Sequence, residues 1–192
     1  LDMEILGETK DDAAGEAFDK IAKIIGLPYP GGPMIDKHAK NGNHEAFQFP
    51  ETEMPGFNYS FSGIKTAVLY FLQNNSQKDS NFVRDNLDDI CASVQHRLIS
   101  TLLQKLKKAS KHTGIKEIAI AGGVSANSYL RKMLAQTGEE LNWNTYIPKF
   151  EYCTDNAGMI AITAHFKYQK QDFLGMDAAP IPRMKFSIDA VK

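Results

Sequence analysis

Cysteine is almost missing from this sequence. Cys91 and Cys153 are the only two among 192 residues, in no metal-like or redox-like spacing, and that usage fits a reducing, cytoplasmic compartment. Long apolar runs are lacking as well: none approaches the roughly 18 residues that a membrane span needs, no signal peptide is read at the start, and no membrane partner is expected. No charge of one sign dominates, since 22 Lys and Arg stand against 23 Asp and Glu, so no global field draws in nucleic acid or lipid. The five histidines, His38, His44, His96, His112 and His165, are never four residues apart, and no helical His pair is available to grip a metal. Neither H-E-x-x-H nor a strand–turn–helix G-x-S-x-G occurs, so nothing in the sequence supports zinc-protease chemistry or a Ser62 hydrolase nucleophile.

What is present is an ordinary globular composition, 43% apolar and 23% charged, in a chain long enough to bury a core as one domain or two small ones. It opens on Leu1 and not on Met, which reads as a chain processed, trimmed or cut from something longer. A helix is expected over Asp11–Ile25, where Ala14, Phe18, Ile21 and Ile25 recur at helical spacing, acids fill the first turn and Gly26 supplies a stop. Asp12, Glu16 and Asp19 share one polar face of it, with an Asp19–Lys23 pair as the plain reading. Tyr29-Pro30-Gly31-Gly32-Pro33 reads as a rigid turn that could also let a ligand lie against backbone N–H groups. Ser62 is placed as the cap of a helix with the stripe Ile64, Ala67, Val68, Phe71 and Leu72. One long helix follows from about Phe82 to Lys111, with Cys91 in its core stripe and Lys105, Lys107, Lys108 and Lys111 on a solvated face, close to Lys116.

The pattern then changes. Glu117–Ala121 reads as a short buried strand, Tyr129 to about Ala135 as a helix, Asn144–Ile147 as a second strand, and a last helix runs to about Gln169 with Thr154 or Asp155 as its cap. This is strand–helix–strand–helix, an α/β unit with parallel pairing. Ligands of such folds sit at the carboxyl ends of the strands, where both Gly122-Gly123 and Thr154-Asp155 fall. AGGVSAN is not the dinucleotide fingerprint G-x-G-x-x-G, but its small residues open a helix N-terminus to a ligand. Asn127 can both donate to and accept from a base edge or ribose.

Five strings in order carry more than any of them singly: LGETKDDAAGEAFDK (Leu6–Lys20), LPYPGGP (Leu27–Pro33), YSFSGIKTA (Tyr59–Ala67), AGGVSAN (Ala121–Asn127) and CTDNAGMIA (Cys153–Ala161). Together they closely resemble the TsaD family, the tRNA threonylcarbamoyladenosine transferases once labelled glycoproteases, from about Glu4 to about Phe186. The resemblance implies an α/β, actin-like ATPase (ASKHA, ribonuclease H-like) fold, of which this chain would be the second half with its helical insertion. Residues 1–112 would be the mostly helical insertion with nucleotide-contacting segments, residues 113–192 the ribonuclease H-like C-terminal part, and the N-terminal half of the fold would be absent.

The same resemblance implies transfer of a threonylcarbamoyl group from threonylcarbamoyl-AMP to the adenosine beside the tRNA anticodon, with iron or zinc polarising the carbamoyl carbonyl. Residue by residue it gives Asp19 and Asp36 ribose contacts, Gly32 a close approach of the nucleotide, Gly122, Gly123 and Asn127 the adenosine side, and Asp155 a metal ligand. It leaves Glu16 and Asp12 undecided. ATP or threonylcarbamoyl-AMP would be the nucleotide, and tRNA with TsaB-like and TsaE-like proteins the partners. The family's two histidine ligands, in H-x-x-x-H, and its phosphate-gripping segments have no counterpart here and are expected upstream of Leu6. The isolated chain is therefore expected to be inactive in transfer and a poor metal binder. A non-catalytic binding module of the modification complex is the alternative, and a metal-dependent glycoprotease the weaker third reading.

Overall fold

Phe18, Ile21, Ala22 and Ile25 fall at i, i+3, i+4 and i+7, and they are the residues that α1 (Ala14–Ile25) buries, together with Ala17. In the computed structural model, which describes residues 3–180, this helix ends as expected: Gly26 takes φ 95° and donates to the Ala22 and Lys23 carbonyls. It starts later than expected. Asp11 and Asp12 stay outside because their carboxylates are engaged elsewhere, Asp11 by the Phe61 N–H at 2.8 Å and Asp12 by Lys20 at 2.6 Å.

The Pro-Gly-Gly-Pro segment is the start of α2 (Gly31–Ala39), with Pro30 at the cap position, and not a free-standing turn. α3 (Ser62–Ser76) buries Ile64, Val68 and Leu72. Its cap is not Ser62, which is already helical. Asp11 performs that role from 50 residues away, accepting from the backbone of Phe61 and Ser62 and from the Ser60 hydroxyl at 2.5 Å. The expected single helix from Phe82 is two, α4 (Phe82–Asp85) and α5 (Leu87–Thr113), separated at Asn86, whose φ of −118° and ψ of 18° leave the helical region. Asn86 donates its side-chain amide back to the Phe82 carbonyl, the local competition that interrupts helices at Asn.

α5 is the spine of the core. Ile90, Val94, Leu98 and Ile99 on it are fully buried in one core cluster with Ile21, Ile35, Ile64 and Val68, and each such side chain is worth about 1.5–3 kcal/mol relative to exposure. Cys91 is buried there as expected, and burial, with Asp88 adding to it, pushes its thiol up to about 12. Phe47, Phe49, Phe71 and Phe82 close one end as an aromatic cluster with ring centroids 5.0–5.8 Å apart. Lys105 departs from the expected solvated face: it is buried, and its ammonium donates to the carbonyls of Met54 and Gly56 at 2.6 and 2.9 Å.

Beyond Gly114, itself left-handed at φ 74°, the chain becomes α/β. β1 (Glu117–Ala119) and β2 (Asn144–Tyr146) pair in parallel, Glu117 opposite Asn144 and Ala119 opposite Tyr146. α6 (Ser128–Leu141) crosses between them, longer than expected because Leu134 and Thr137 continue its buried face. A 3-10 turn, Gly123–Ala126, precedes α6, and a second, Phe150–Tyr152, precedes α7 (Ala157–Gln169). α7 is apolar yet buries none of its residues; Ile160 is 74% exposed. Among the described residues no helix is long and apolar enough to cross a membrane. Residues 181–192 of the expected α/β part, and the end of the resemblance near Phe186, lie outside them.

Candidate functional site

Two helix N-termini, those of α2 and α6, are held by side chains that the sequence singles out. Asp19, half-buried on α1, accepts from the N–H groups of Gly31 at 2.7 Å and Gly32 at 3.2 Å, so it caps α2. The expected Asp19–Lys23 pair is not made, because that carboxylate satisfies two of the donors that a helix N-terminus leaves open. Asp36, on α2, does the same for α6: it accepts from the Ser128 hydroxyl at 2.8 Å and the Ser128 N–H at 3.3 Å. Asn127 caps α6 from within, its Oδ1 accepting from Leu130 N at 2.9 Å, while its amide donates to Gln95 Oε1 on α5 at 2.7 Å.

The glycines show where space remains. A Cβ on Gly31 would lie 2.4 Å from Ala22 Cβ and 2.8 Å from Asp19 Cα, so packing of α2 on α1 requires glycine there. On Gly32 it would meet nothing nearer than Phe18 Cβ at 3.8 Å, and on Gly122 and Gly123 nothing within 4 Å. Gly122 adopts φ 80°, which suits glycine; Gly32 and Gly123 carry no such demand from this chain's own packing. Gly15 on α1 faces Val124, at 3.5 Å from an added Cβ, so the 3-10 turn lies beside α1. Asp19, Gly32, Asp36, Gly122, Gly123 and Asn127 are thus brought to one connected set of helix and turn ends.

Asp12 and Glu16, undecided on sequence, belong to an ion-pair cluster. Lys20 contacts Asp12 at 2.6 Å and Glu16 at 2.7 Å, and Lys65 reaches Asp12 at 3.4 Å. The Lys20 hydrogen bond, then Lys65, holds the Asp12 carboxyl below its ordinary value against the opposing effect of burial. These charges neutralise one another beside α1.

Asp155 differs from the others. It is exposed and is not the cap of α7; Asn156 is, its side chain accepting from Met159 N at 3.2 Å. The difference is one of backbone: Asn156 holds the extended φ of −150° that a cap needs, which leaves Asp155 one residue outside the helix. An exposed carboxylate not consumed by capping suits one hard oxygen ligand of a divalent ion. Among the described residues no three His, Cys, Asp or Glu side chains are grouped to hold one.

Sequence reasoning misses Gln95, Ser128 and Arg131. Arg131 stands in the first turn of α6 and donates to Ser125 O at 3.0 Å and Pro148 O at 2.7 Å. The available signal was electrostatic: a cation in a first helical turn opposes the helix dipole and needs another reason to be there. His96 on α5 adds a further tether, its Nδ1 2.8 Å from the Tyr129 hydroxyl on α6. Burial, then the neighbouring His44 and Arg97, push the His96 imidazole below its ordinary value, with Glu45 opposing.

Comparison with known proteins follows the same residues. A family model described as TsaD, tRNA N6-adenosine threonylcarbamoyltransferase, matches residues 1–162. A protein of that description from Cytophaga hutchinsonii is 60% identical over 185 residues, covering 96% of this chain and 54% of the relative. One from Christiangramia forsetii is 56% identical over 184 residues, with 96% and 54% covered. One from Thermosipho africanus is 47% identical over 188 residues, with 96% and 55% covered. The chain spans about half the length of the curated relatives it matches.

Proposed function

The chain belongs to the TsaD family of tRNA N6-adenosine threonylcarbamoyltransferases, and from that premise we propose that it is the C-terminal, nucleotide-holding part of such an enzyme. The observation that carries the proposal is the set of caps joining Asp19, Asp36 and Asn127, with open space over Gly32, Gly122 and Gly123. A nucleoside lying there meets backbone rather than side chains, and its ribose hydroxyls face carboxylates whose second lone pairs are available. In this reading Asp19 and Asp36 contact ribose, and the Gly122–Asn127 segment borders the adenine.

The reaction is acyl transfer. The adenosine N6 amine attacks the carbamoyl carbon of threonylcarbamoyl-AMP, the bond from that carbon to the phosphate oxygen breaks, AMP departs and the amine loses a proton. Asp155 would be this chain's one ligand to an iron or zinc ion, with two histidines of the preceding half as the others, and the chemistry such an ion would supply is Lewis-acid polarisation of the carbamoyl carbonyl. The chain's own residues would bind and orient the nucleotide, the Gly122–Asn127 turn following β1 and Asp155 following its parallel partner β2.

The finer fold follows as part of the proposal: an actin-like ATPase of two ribonuclease H-like halves, with residues 1–112 the helical insertion and 113–192 the C-terminal part of the second half. What supports it is that α7 buries none of its apolar residues and that, among the described residues, the sheet has only two short strands, a surface that asks for cover. tRNA and TsaB-like and TsaE-like proteins are the proposed partners. The test is mass spectrometry of tRNA nucleosides after incubation with threonylcarbamoyl-AMP. A protein joining this segment to the preceding half of its relatives forms N6-threonylcarbamoyladenosine, and the 192-residue chain alone does not. Transfer by the chain alone contradicts the proposal, as does transfer by neither when the TsaB-like and TsaE-like partners are present.

A further inference from the structure

We infer that Arg131 is the positioning residue that fixes the Asp155 segment against the Gly122–Asn127 turn, so that the metal ligand and the nucleotide contact are held as one unit. The inference rests on the reading above that these two segments serve metal and nucleotide. Its own support is geometric. Arg131 Nη1 donates to Ser125 O at 3.0 Å and lies 3.8 Å from Cys153 Sγ, while Nη2 donates to Pro148 O at 2.7 Å. The guanidinium carbon stands 4.4 Å from the centre of the Phe150 ring. Ser125 is two residues before Asn127, and Cys153 two before Asp155. One side chain therefore grips both loops at the carboxyl ends of β1 and β2, each just short of its functional residue.

The gripped groups are themselves held. Ser125 is buried, and its N–H and hydroxyl both donate to Gly122 O, at 2.9 and 2.6 Å. Cys153 is fully buried, and its N–H bonds to Phe150 O at 3.2 Å. A shift of the guanidinium must therefore move both turns. Only arginine suits the place: its planar fork reaches two carbonyls on different loops while its face stacks on Phe150. Lysine, a single point donor, holds one carbonyl and releases the other. Groups that hydrogen-bond a metal ligand directly change affinity by about 10–100-fold when removed; Arg131 acts one step further out, through Pro148 and Cys153, so the lower end of that range is expected.

The first test uses the longer protein joining this segment to the preceding half of its relatives. Cobalt(II) is titrated by its visible absorption, with AMP affinity measured alongside, for the wild type, R131K, R131M and D155N. The expected result is that R131K and R131M weaken cobalt binding by about 10-fold or more and weaken AMP binding in parallel. Wild-type cobalt affinity in both Arg131 variants, with D155N defective, overturns the inference. Wild-type affinity in D155N instead shows that the metal reading of Asp155 has failed. The second test is independent of metal and of that reading: amide hydrogen exchange on the 192-residue chain. In R131K the Ser125 and Asn127 amides should exchange faster together with those of Tyr152 and Cys153. Faster exchange confined to one of the two segments, or to neither, overturns the inference.

Discussion

The Ser128 hydroxyl donates to Asp36 Oδ1 at 2.8 Å across 92 residues of sequence. This bond joins the helical part of the chain to the α/β part at the N-terminus of α6, and the Ser128 N–H adds a second link at 3.3 Å. Asp36→Ala should therefore cost the usual amount for a lost cap, about 1 kcal/mol with a range of 0.5–2, by urea denaturation. Ser128→Ala, which removes only the hydroxyl, should cost less. The double variant should fall short of the sum, because both changes break the same contact.

The two glycines opening α2 should separate sharply. Gly31→Ala drives a Cβ to 2.4 Å from Ala22 Cβ and 2.8 Å from the Asp19 backbone, an overpacking that costs about 1–3 kcal/mol. Gly32→Ala meets only Phe18 Cβ at 3.8 Å and should leave the folded state as stable as before or slightly more so, since alanine loses less backbone entropy on folding. Thermal unfolding of the two variants checks both.

Asp11 should make α3 acid-sensitive. Burial pushes its carboxyl up, but the hydrogen bonds from Ser60, Phe61 and Ser62 together outweigh it and hold the group below its ordinary value of 3.8. A depressed carboxylate contributes stability that is present above the unfolded value near 3.8 and lost as pH falls through the lower folded value. Asp11→Ala should lower stability at pH 7 by about 1 kcal/mol, as for other caps, and its difference from wild type should shrink in denaturant melts below pH 4.

His96 acts in a higher window. Burial first, then His44 and Arg97, lower its folded value below the usual 6.5. The unfolded chain therefore takes up the proton first as pH falls, so stability is full above about 6.5 and declines below it. His96→Gln should flatten the fall in melting temperature between pH 6.5 and 5. An unchanged slope would show that His96 is not the group responsible.

The strings that carry the family resemblance singled out residues whose local jobs in the fold were only partly legible in the sequence. Helical spacing revealed α1, α3 and α5, because Phe18, Val68 and Leu98 recur on the buried faces, and the short apolar run at Ile118 gave β1 and its parallel partner. Caps made at long range were not legible: nothing near Ser62 says that Asp11 serves its helix, and nothing near Ser128 points to Asp36. Asn86, polar and unremarkable in a helical pattern, breaks α4 from α5 through its own side-chain bond. Lys105 reads as one of a charged run, yet it is the one turned inward to two carbonyls. Arg131 lay outside the five strings and went unread, since its partners are backbone carbonyls that sequence does not display.

The central claim is that adenine nucleotide lies against Gly32 between Asp19 and the Gly122–Asn127 segment. Its most direct measurement is isothermal titration of AMP into the longer protein, wild type and Gly32→Val, with melting temperatures recorded for both. The account predicts at least a tenfold loss of affinity, about 1.4 kcal/mol, with little change in melting temperature, because the valine enters space left for the ligand. Equal affinity in the two proteins would contradict it.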